Sequence, residues 1–400
     1  MRLRYKAATK DGKLSRGLID AKDVNEAVTY LRAKGLLPIE VSRADNPLSN
    51  LLAPFNGVKQ SDIVLFTRQL SSMLASGLTL IRALEILKDQ VQTQAMTEVI
   101  TTVINDVEEG KTLAQAISKH PRVFSPIYVS IIKAGESSGV LDKVLSRLAD
   151  NLEKQAKLKG TIKSALMYPV IVVILMAVVM VIMMVFVMPQ LTVLYQQLGI
   201  SLPLPTQIVV GISNILMTYW IFAVAVIAVV FVVFNRWSKT EDGKLIIDNL
   251  SLKLPIFGKL INETLLAEFS RTLGLLIGTG TLVVEALNET ADITGNVLYR
   301  NAIIEVGKQV EKGVSIGDAL SYYPIFPSLL IQLVRIGEQT GKIDETLTKA
   351  SEYFEREVDE SVKTLTTAME PFIMVILGIG VAFLIISIIT PIYSLISNIQ

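Results

Sequence analysis

The sequence predicts an all-α polytopic membrane protein, with two homologous cytoplasmic helical bundles, three transmembrane helices and a small N-terminal α/β module. Three observations carry this expectation. Residues 164–235 contain no Asp, Glu, Lys, Arg or His. Of 400 residues, 51% are hydrophobic and the mean hydropathy is positive (+0.49), which a soluble chain of this length would show only with an unusually large core. Finally, IKAGESSGVLDKVL (132–145) and VRIGEQTGKIDETL (334–347) spell the same turn twice.

The first element is the α/β module, residues 1–42. RLRYKA and LSRGLIDA read as strands joined across Asp11-Gly12, a hairpin turn signal. Asp23 followed by Glu26 makes a capping box; Val24, Ala27, Val28 and Leu31 then share one helical face, and Gly35 stops the helix before LLPIEV. Residues 43–60, rich in Pro, Asn and Gly, are expected to be a flexible linker.

Bundle one (61–168) can be laid, with small shifts, over the part of bundle two (236–370) that begins at about Thr264. FTRQLSSMLASGLTLIRALE (66–85) aligns with FSRTLGLLIGTGTLVVEALN (269–288) at an offset of 203, matching Arg68 with Arg271 and Gly77 with Gly280. EGKTLAQAISKHP (109–121) meets KGVSIGDALSYYP (312–324) at the same offset, and a one-residue deletion then brings the two Gly-Glu turns together at 202. ALMYP (165–169) against TAMEP (367–371) closes the repeat, so each copy ends at a proline where a membrane span begins.

The charge-free run divides into two apolar segments, 169–188 and 214–235, and PFIMVILGIGVAFLIISIITPI (371–392) is a third. At about 1.5 Å per residue, some twenty residues span a hydrocarbon core of roughly 30 Å. Lys154, Lys157, Lys159 and Lys163 precede the first span and Arg236, Lys239 and Lys244 follow the second, while the connecting loop (189–213) and the tail (393–400) carry no basic residue. The basic sides should be cytoplasmic, with the loop and tail external and the N-terminus inside. The middle span is then the return path that brings the second copy back to the cytoplasm.

Several positions draw attention as sites. Glu136 and Glu338, in the repeated turns, read as turn residues or acids near a helix N-terminus, as symmetry-related acids facing a basic partner, or as ligands of a divalent ion. Glycines 135, 139, 337 and 341 are expected to supply the backbone freedom of those turns. Arg68 and Arg271 form ion pairs or partner contacts. Glu370, at the mouth of the third span, reads as an interfacial acid at a helix start. ASG (75–77) and GTG (278–280) are better explained as helix C-caps than as phosphate loops, because they follow helices and lack the Lys-Ser pair. Gly378 and Gly380 permit close helix approach.

No catalytic apparatus is visible. There is no cysteine; His120 is the single histidine and has Tyr323 as its counterpart. The 38 basic and 37 acidic residues nearly cancel, which gives no field for nucleic acid. A secondary transporter is the alternative reading, since repeats are common there, but the spans offer almost no ionisable group at mid-bilayer.

The duplicated LFTRQLSSMLASGLTLIRAL pattern, the two GE-x-[ST]-G turns, the LMYP entry to a span and the LGISLPLPT loop together resemble the PilC/GspF family (T2SF domain), the inner-membrane platform proteins of type IV pilus and type II secretion machines. The resemblance covers nearly the whole chain. It implies a non-enzymatic assembly role in the bacterial inner membrane, and self-association as a dimer or higher oligomer. It also implies a cytoplasmic hexameric assembly or retraction ATPase as partner, together with pilin or pseudopilin subunits and other inner-membrane alignment components. Calcium binding in the first helical domain of one family member makes Glu136 the candidate ligand here, with no cofactor otherwise implied. TAMEP in place of ALMYP marks the two halves as unequal.

Overall fold

The computed structural model describes residues 2–8, 14–21, 23–43, 57–197, 204–255 and 257–399. The expected Asp11-Gly12 turn, most of the linker and the middle of the external loop lie outside them.

Three strands, β1 (Arg2–Ala8), β2 (Leu14–Asp20) and β3 (Leu37–Arg43), form an antiparallel sheet in the order β2-β1-β3. Helix α1 (Val24–Ala33) starts where Asp23 accepts the Glu26 N–H and buries Ala27 and Leu31.

Five helices build copy one: α2 (Gln60–Ala75), α3 (Leu80–Gln90), α4 (Gln94–Glu108), α5 (Leu113–Ser118) and α6 (Pro126–Ser137). They lead into the long α7 (Leu141–Ile182), a π-helical segment at Met183–Val187 and α8 (Met188–Gln197). Helix α9 (Leu204–Trp237) is broken at Tyr219, whose φ of −112° and ψ of 18° are not helical. Copy two comprises α11 (Phe257–Gly278), α12 (Val283–Ile293), α13 (Val297–Glu311), α14 (Ile316–Ser321) and α15 (Ser328–Thr340), after an extra helix α10 (Glu241–Lys253). It ends in α16 (Ile343–Ile399).

The duplication holds at the backbone. Three pairs of left-handed glycines stand at matched positions: Gly77 with Gly280 (φ 85° and 90°), Gly110 with Gly313 (89° and 92°) and Gly139 with Gly341 (68° and 69°). The cores match as well. Phe66 packs on Phe124 with ring centroids 5.9 Å apart, and their counterparts Phe269 and Phe326 sit 5.4 Å apart. Leu84, Leu87, Ile131, Ile132 and Leu145 are buried in one continuous core with Leu273, Leu287, Ile303 and Leu347 of the other copy. Each such side chain contributes roughly 1.5–3 kcal/mol by leaving water.

Neither proline at the end of a repeat opens a helix. Helix α7 runs through Pro169 and α16 through Pro371 without interruption. At about 1.5 Å per residue the 42-residue α7 is some 63 Å long and the 57-residue α16 some 86 Å. Each proline removes one backbone donor and leaves the carbonyl four residues earlier unpaired within the helix, and the long apolar and amphipathic flanks hold the helix across it. Within the expected loop at 189–213, residues 189–197 and 204–213 are helical.

Among the described residues, two helical stretches are long and apolar enough to cross a bilayer, Leu141–Val187 and Ile343–Ala382. None of the most apolar window of the first is buried, and 17% of that of the second, whereas a core helix of a soluble protein would be covered. Ala228–Trp237 is a shorter apolar helical piece.

Candidate functional site

The repeated turn is a clamp between helices. In copy one, Val140 N–H donates to Gly135 O (3.0 Å) across the left-handed Gly139, and in copy two Lys342 N–H donates to Gly337 O (2.8 Å) across Gly341. This six-to-one closure ends α6 and α15 and starts the long helices. Only the second glycine of each turn is needed for its backbone angle. The first is needed for space: a Cβ on Gly135 would lie 3.0 Å from Val144 Cβ, and one on Gly337 would lie 2.8 Å from Ile343 Cα.

The glutamates beside those first glycines reach back into their own bundle. Glu136 accepts from the N–H of Leu113 (2.5 Å) and Ala114 (2.8 Å), the opening residues of α5. Glu338 does the same for Ile316 (2.5 Å) and Gly317 (2.9 Å) in α14. Each carboxylate thus satisfies two donors that the helix leaves unpaired and sits at the positive end of its dipole. The helix so capped precedes the turn rather than following it.

Arg68 and Arg271 tie the first helix of each copy to its long helix. Arg68 Nε donates to Glu153 Oε1 (2.6 Å), and its terminal nitrogen to Glu153 Oε2 (2.7 Å) and Asp150 (2.5 Å). Those hydrogen bonds, that to Glu153 foremost, raise the arginine pKa, and Arg68 in turn lowers that of Glu153. Arg271 donates to Glu355 Oε1 from Nε (3.1 Å) and the terminal nitrogen (2.7 Å), with its side chain 7% exposed against 32% for Arg68.

Between the copies lies a cleft of about 860 Å³ along α7, α11 and α16, whose lining includes Arg147, Lys154, Lys157, Asp344, Lys349 and Glu352. Ion pairs cross it. Lys154 stands 3.2 Å from Glu352, and Arg147 stands 3.7 Å from Asp344 while donating to Gly278 O at 2.7 Å. A third link is Ser130, whose hydroxyl donates to Glu289 (2.8 Å). Basic and acidic side chains balance here, so the cleft carries no strong field of one sign.

Toward the bilayer, α7, α11 and α16 form a three-helix stalk around Leu158, Leu260, Val358, Val362 and Leu365. Glu370 is exposed at its end. It stands in the interior of α16, so it gains nothing from a helix N-terminus; the expectation of a helix start there is corrected by the continuity through Pro371. Beyond it, a Cβ on Gly380 would lie 3.3 Å from Met176 Sδ and 3.4 Å from Met180 Cε of α7, whereas Gly378 faces open space. One glycine of the Gly-Ile-Gly pair therefore serves helix contact.

Among the described residues no three His, Asp or Glu side chains gather as a metal site, and both oxygens of Glu136 are engaged by backbone N–H groups. Sequence reasoning missed two polar centres. Asp106, 8% exposed, receives Lys111 and Lys119 at 2.6 Å each, and their hydrogen bonds, Lys111 first, lower its pKa. Glu289 was missed as well. Neither centre recurs in the other copy, so the repeat gave no signal for them. The acidic partners of Arg68 and Arg271 were not named from the sequence either, although Glu153 and Glu355, 202 residues apart, carried the signal of the repeat.

Comparison with known proteins agrees with this architecture. Residues 66–189 and 269–391 each match the family described as type II secretion system (T2SS), protein F, and residues 4–42 match its N-terminal domain. The chain is 36% identical to the type IV pilus assembly protein PilC of Thermus thermophilus over 99% of its length and 98% of the relative's. It is 35% identical to the PilC of Myxococcus xanthus (99% and 95% covered) and 29% identical to the type II secretion system protein F of Aeromonas hydrophila (91% and 95%). None of these names supports the transporter reading. With both halves matched and such relatives aligned end to end, the chain belongs to the type II secretion system protein F family, which includes the type IV pilus assembly proteins PilC.

Proposed function

We propose that this chain is the inner-membrane platform of a type IV pilus or type II secretion machine, coupling a cytoplasmic hexameric ATPase to the insertion of pilin or pseudopilin subunits into a filament. The observation that carries the reading is the pair of long helices, α7 and α16, each continuous from a folded bundle into an apolar stretch. A load applied to either bundle would pass along an unbroken rod into the lipid. Helix α9 acts as the returning middle span, with the N-terminus and both bundles cytoplasmic and the C-terminus external. The ATPase docks on the bundles, the spans face pilin, and copies of the chain associate with one another and with other inner-membrane components.

Arg68, Glu136, Arg271, Glu338 and Glu370 remain candidates for partner contact; of these, Glu370 has the most exposed setting, while the first four also serve internal bonds. The test is co-purification of the full chain with the ATPase from membranes at low salt, paired with reporter fusions in each bundle. Association and two cytoplasmic bundles are expected. Bundles on opposite faces of the membrane, or no association at low salt, would overturn the proposal.

A further inference from the structure

We infer that α10 is an in-plane foot, lying in the headgroup layer of the cytoplasmic leaflet with Ile246, Leu250 and Leu254 turned into lipid. The inference rests on the reading that α9 and α16 cross the membrane, and concerns a helix outside the two family matches.

Both ends of α10 sit at the bilayer surface. At the start, α9 leaves its apolar stretch at Trp237, next to Arg236, the first charge after the 72 uncharged residues 164–235. Trp237 packs on Phe234 with ring centroids 6.0 Å apart and is 42% exposed, as aromatic residues at membrane interfaces are. The chain then turns at once: Thr240 caps α10 by accepting the Gly243 N–H (3.2 Å), and a Cβ on Gly243 would overlap Trp237 O. At the far end, α11 runs antiparallel to α16. Arg271 meets Glu355, Glu263 meets Ser361, and Leu260 clusters with Leu365. By this register Phe257 lies opposite about residue 368, one turn of about 3.6 residues short of Pro371, where the apolar stretch begins. A helix whose two ends are both at that level lies along the surface.

Its faces agree with that placement. Asp248 accepts the Val297 N–H (2.7 Å), fixing one side of α10 to copy two, while Leu252 packs on the core. Ile246, Leu250 and Leu254 are 52%, 59% and 45% exposed and, at about 100° per residue, fall within an arc of about 80°. A cytosolic helix gains nothing by leaving such a stripe in water; an interfacial one buries it at the acyl boundary. Arg236, Lys239, Lys244 and Lys253 lie in or just before α10, against Glu241, Asp242 and Asp248, and Asp248 is held by the Val297 N–H, which leaves a small basic excess for anionic headgroups. The level of its two ends, at the edges of the apolar stretches of α9 and α16, argues for lipid rather than a second copy as the occupant.

Because the chain has no cysteine, single spin labels are unambiguous. The full chain carrying Ile246→Cys or Leu250→Cys, reconstituted in vesicles of phosphatidylethanolamine and phosphatidylglycerol, would be probed with oxygen and with a water-soluble nickel chelate. Val375→Cys in α16 serves as the membrane reference and Leu282→Cys as the aqueous one. The expected result is that oxygen relaxes the labels at 246, 250 and 375 several-fold more than nickel does, with the reverse at 282. Nickel dominating at 246 and 250 while 375 stays in lipid overturns the foot and leaves the membrane reading standing. Nickel dominating at 375 as well overturns both. Labels at 246 and 250 shielded from both reagents would mean a protein partner covers α10, and also overturns it.

Discussion

Arg271 stands 2.7 Å from Glu355 at the position where copy one pairs Arg68 with Glu153, yet the second arginine is buried and the first is a third exposed. Removing a buried partner strands the other charge, whereas an exposed pair gives up little. Arg271→Ala should therefore destabilise copy two by about 3 kcal/mol, and Arg68→Ala should cost copy one about 1 kcal/mol or less. Thermal unfolding of the detergent-solubilised chain measures the difference, and equal losses would contradict it.

Glu338 holds the N–H groups of Ile316 and Gly317 from a distant helix. Hydrogen bonds to a charged group contribute roughly 1.5–3 kcal/mol. In Glu338→Ala the first turn of α14 should open more readily by about 2 kcal/mol, or roughly 30-fold in exchange protection. Hydrogen exchange at those two amides checks this, and Glu136→Ala should do the same at Leu113 and Ala114. Protection unchanged in both variants would mean the carboxylates do not cap these helices.

The glycines of the repeated turn should separate by mechanism. Gly337→Ala forces a methyl group against Ile343 Cα, a backbone atom that cannot step aside, and overpacking of that kind costs typically about 1–3 kcal/mol. Gly341→Ala meets open space but must hold φ near 69°, at roughly 1–2 kcal/mol. Gly378→Ala, inside α16 and open on its exposed side, should be neutral or slightly stabilising. Unfolding temperatures in the order Gly341→Ala above Gly337→Ala, with Gly378→Ala highest, would support this assignment.

How far this arrangement was readable in advance depends on whether a feature recurs in both copies. The two Gly-Glu turns, the matched arginines and the paired left-handed glycines all repeat, and repetition marks what the fold needs. The partner of Glu136 was not readable, because the carboxylate reaches back 23 residues to α5 and the sequence pattern favoured the helix that follows. Continuity through Pro169 and Pro371 was obscured for a different reason. Proline ordinarily marks a boundary, and only the backbone of α7 and α16 shows each helix to run on through it. The inter-copy cleft depends on a docking of the halves that no local signal encodes.

The contact between copies should respond to pH through Glu289. Burial raises its pKa above the usual 4.5, the neighbouring charges of Glu285 and Asp292 push the same way, and the Ser130 hydrogen bond opposes them. The folded state then holds this proton more tightly than the unfolded one. Stability is therefore highest below pH 4.5 as far as this group is concerned, and falls as pH rises from 4.5 through the higher folded value. One oxygen, Oε2, is buried without a partner among the described residues. Glu289→Gln should remove that slope and leave the protein at least as stable at neutral pH. An unchanged pH profile in the variant would assign the dependence elsewhere.

The two copies also differ at one buried hydroxyl. In copy one, Thr67 is fully buried, donates to Ile63 O (2.7 Å) and lies 3.0 Å from the Tyr128 hydroxyl, which burial keeps from ionising. In copy two the matched positions are Ser270 and Leu330, and Ser270 Oγ is buried with no partner among the described residues. A buried hydroxyl with nothing to bond costs on the order of 1–3 kcal/mol. Ser270→Ala should therefore stabilise copy two by about 1 kcal/mol, while Tyr128→Phe, which strips a partner from Thr67, should destabilise copy one by a similar amount. Opposite signs for the two substitutions in one denaturation series are the expected outcome; a loss of stability in Ser270→Ala would show that the serine is satisfied after all.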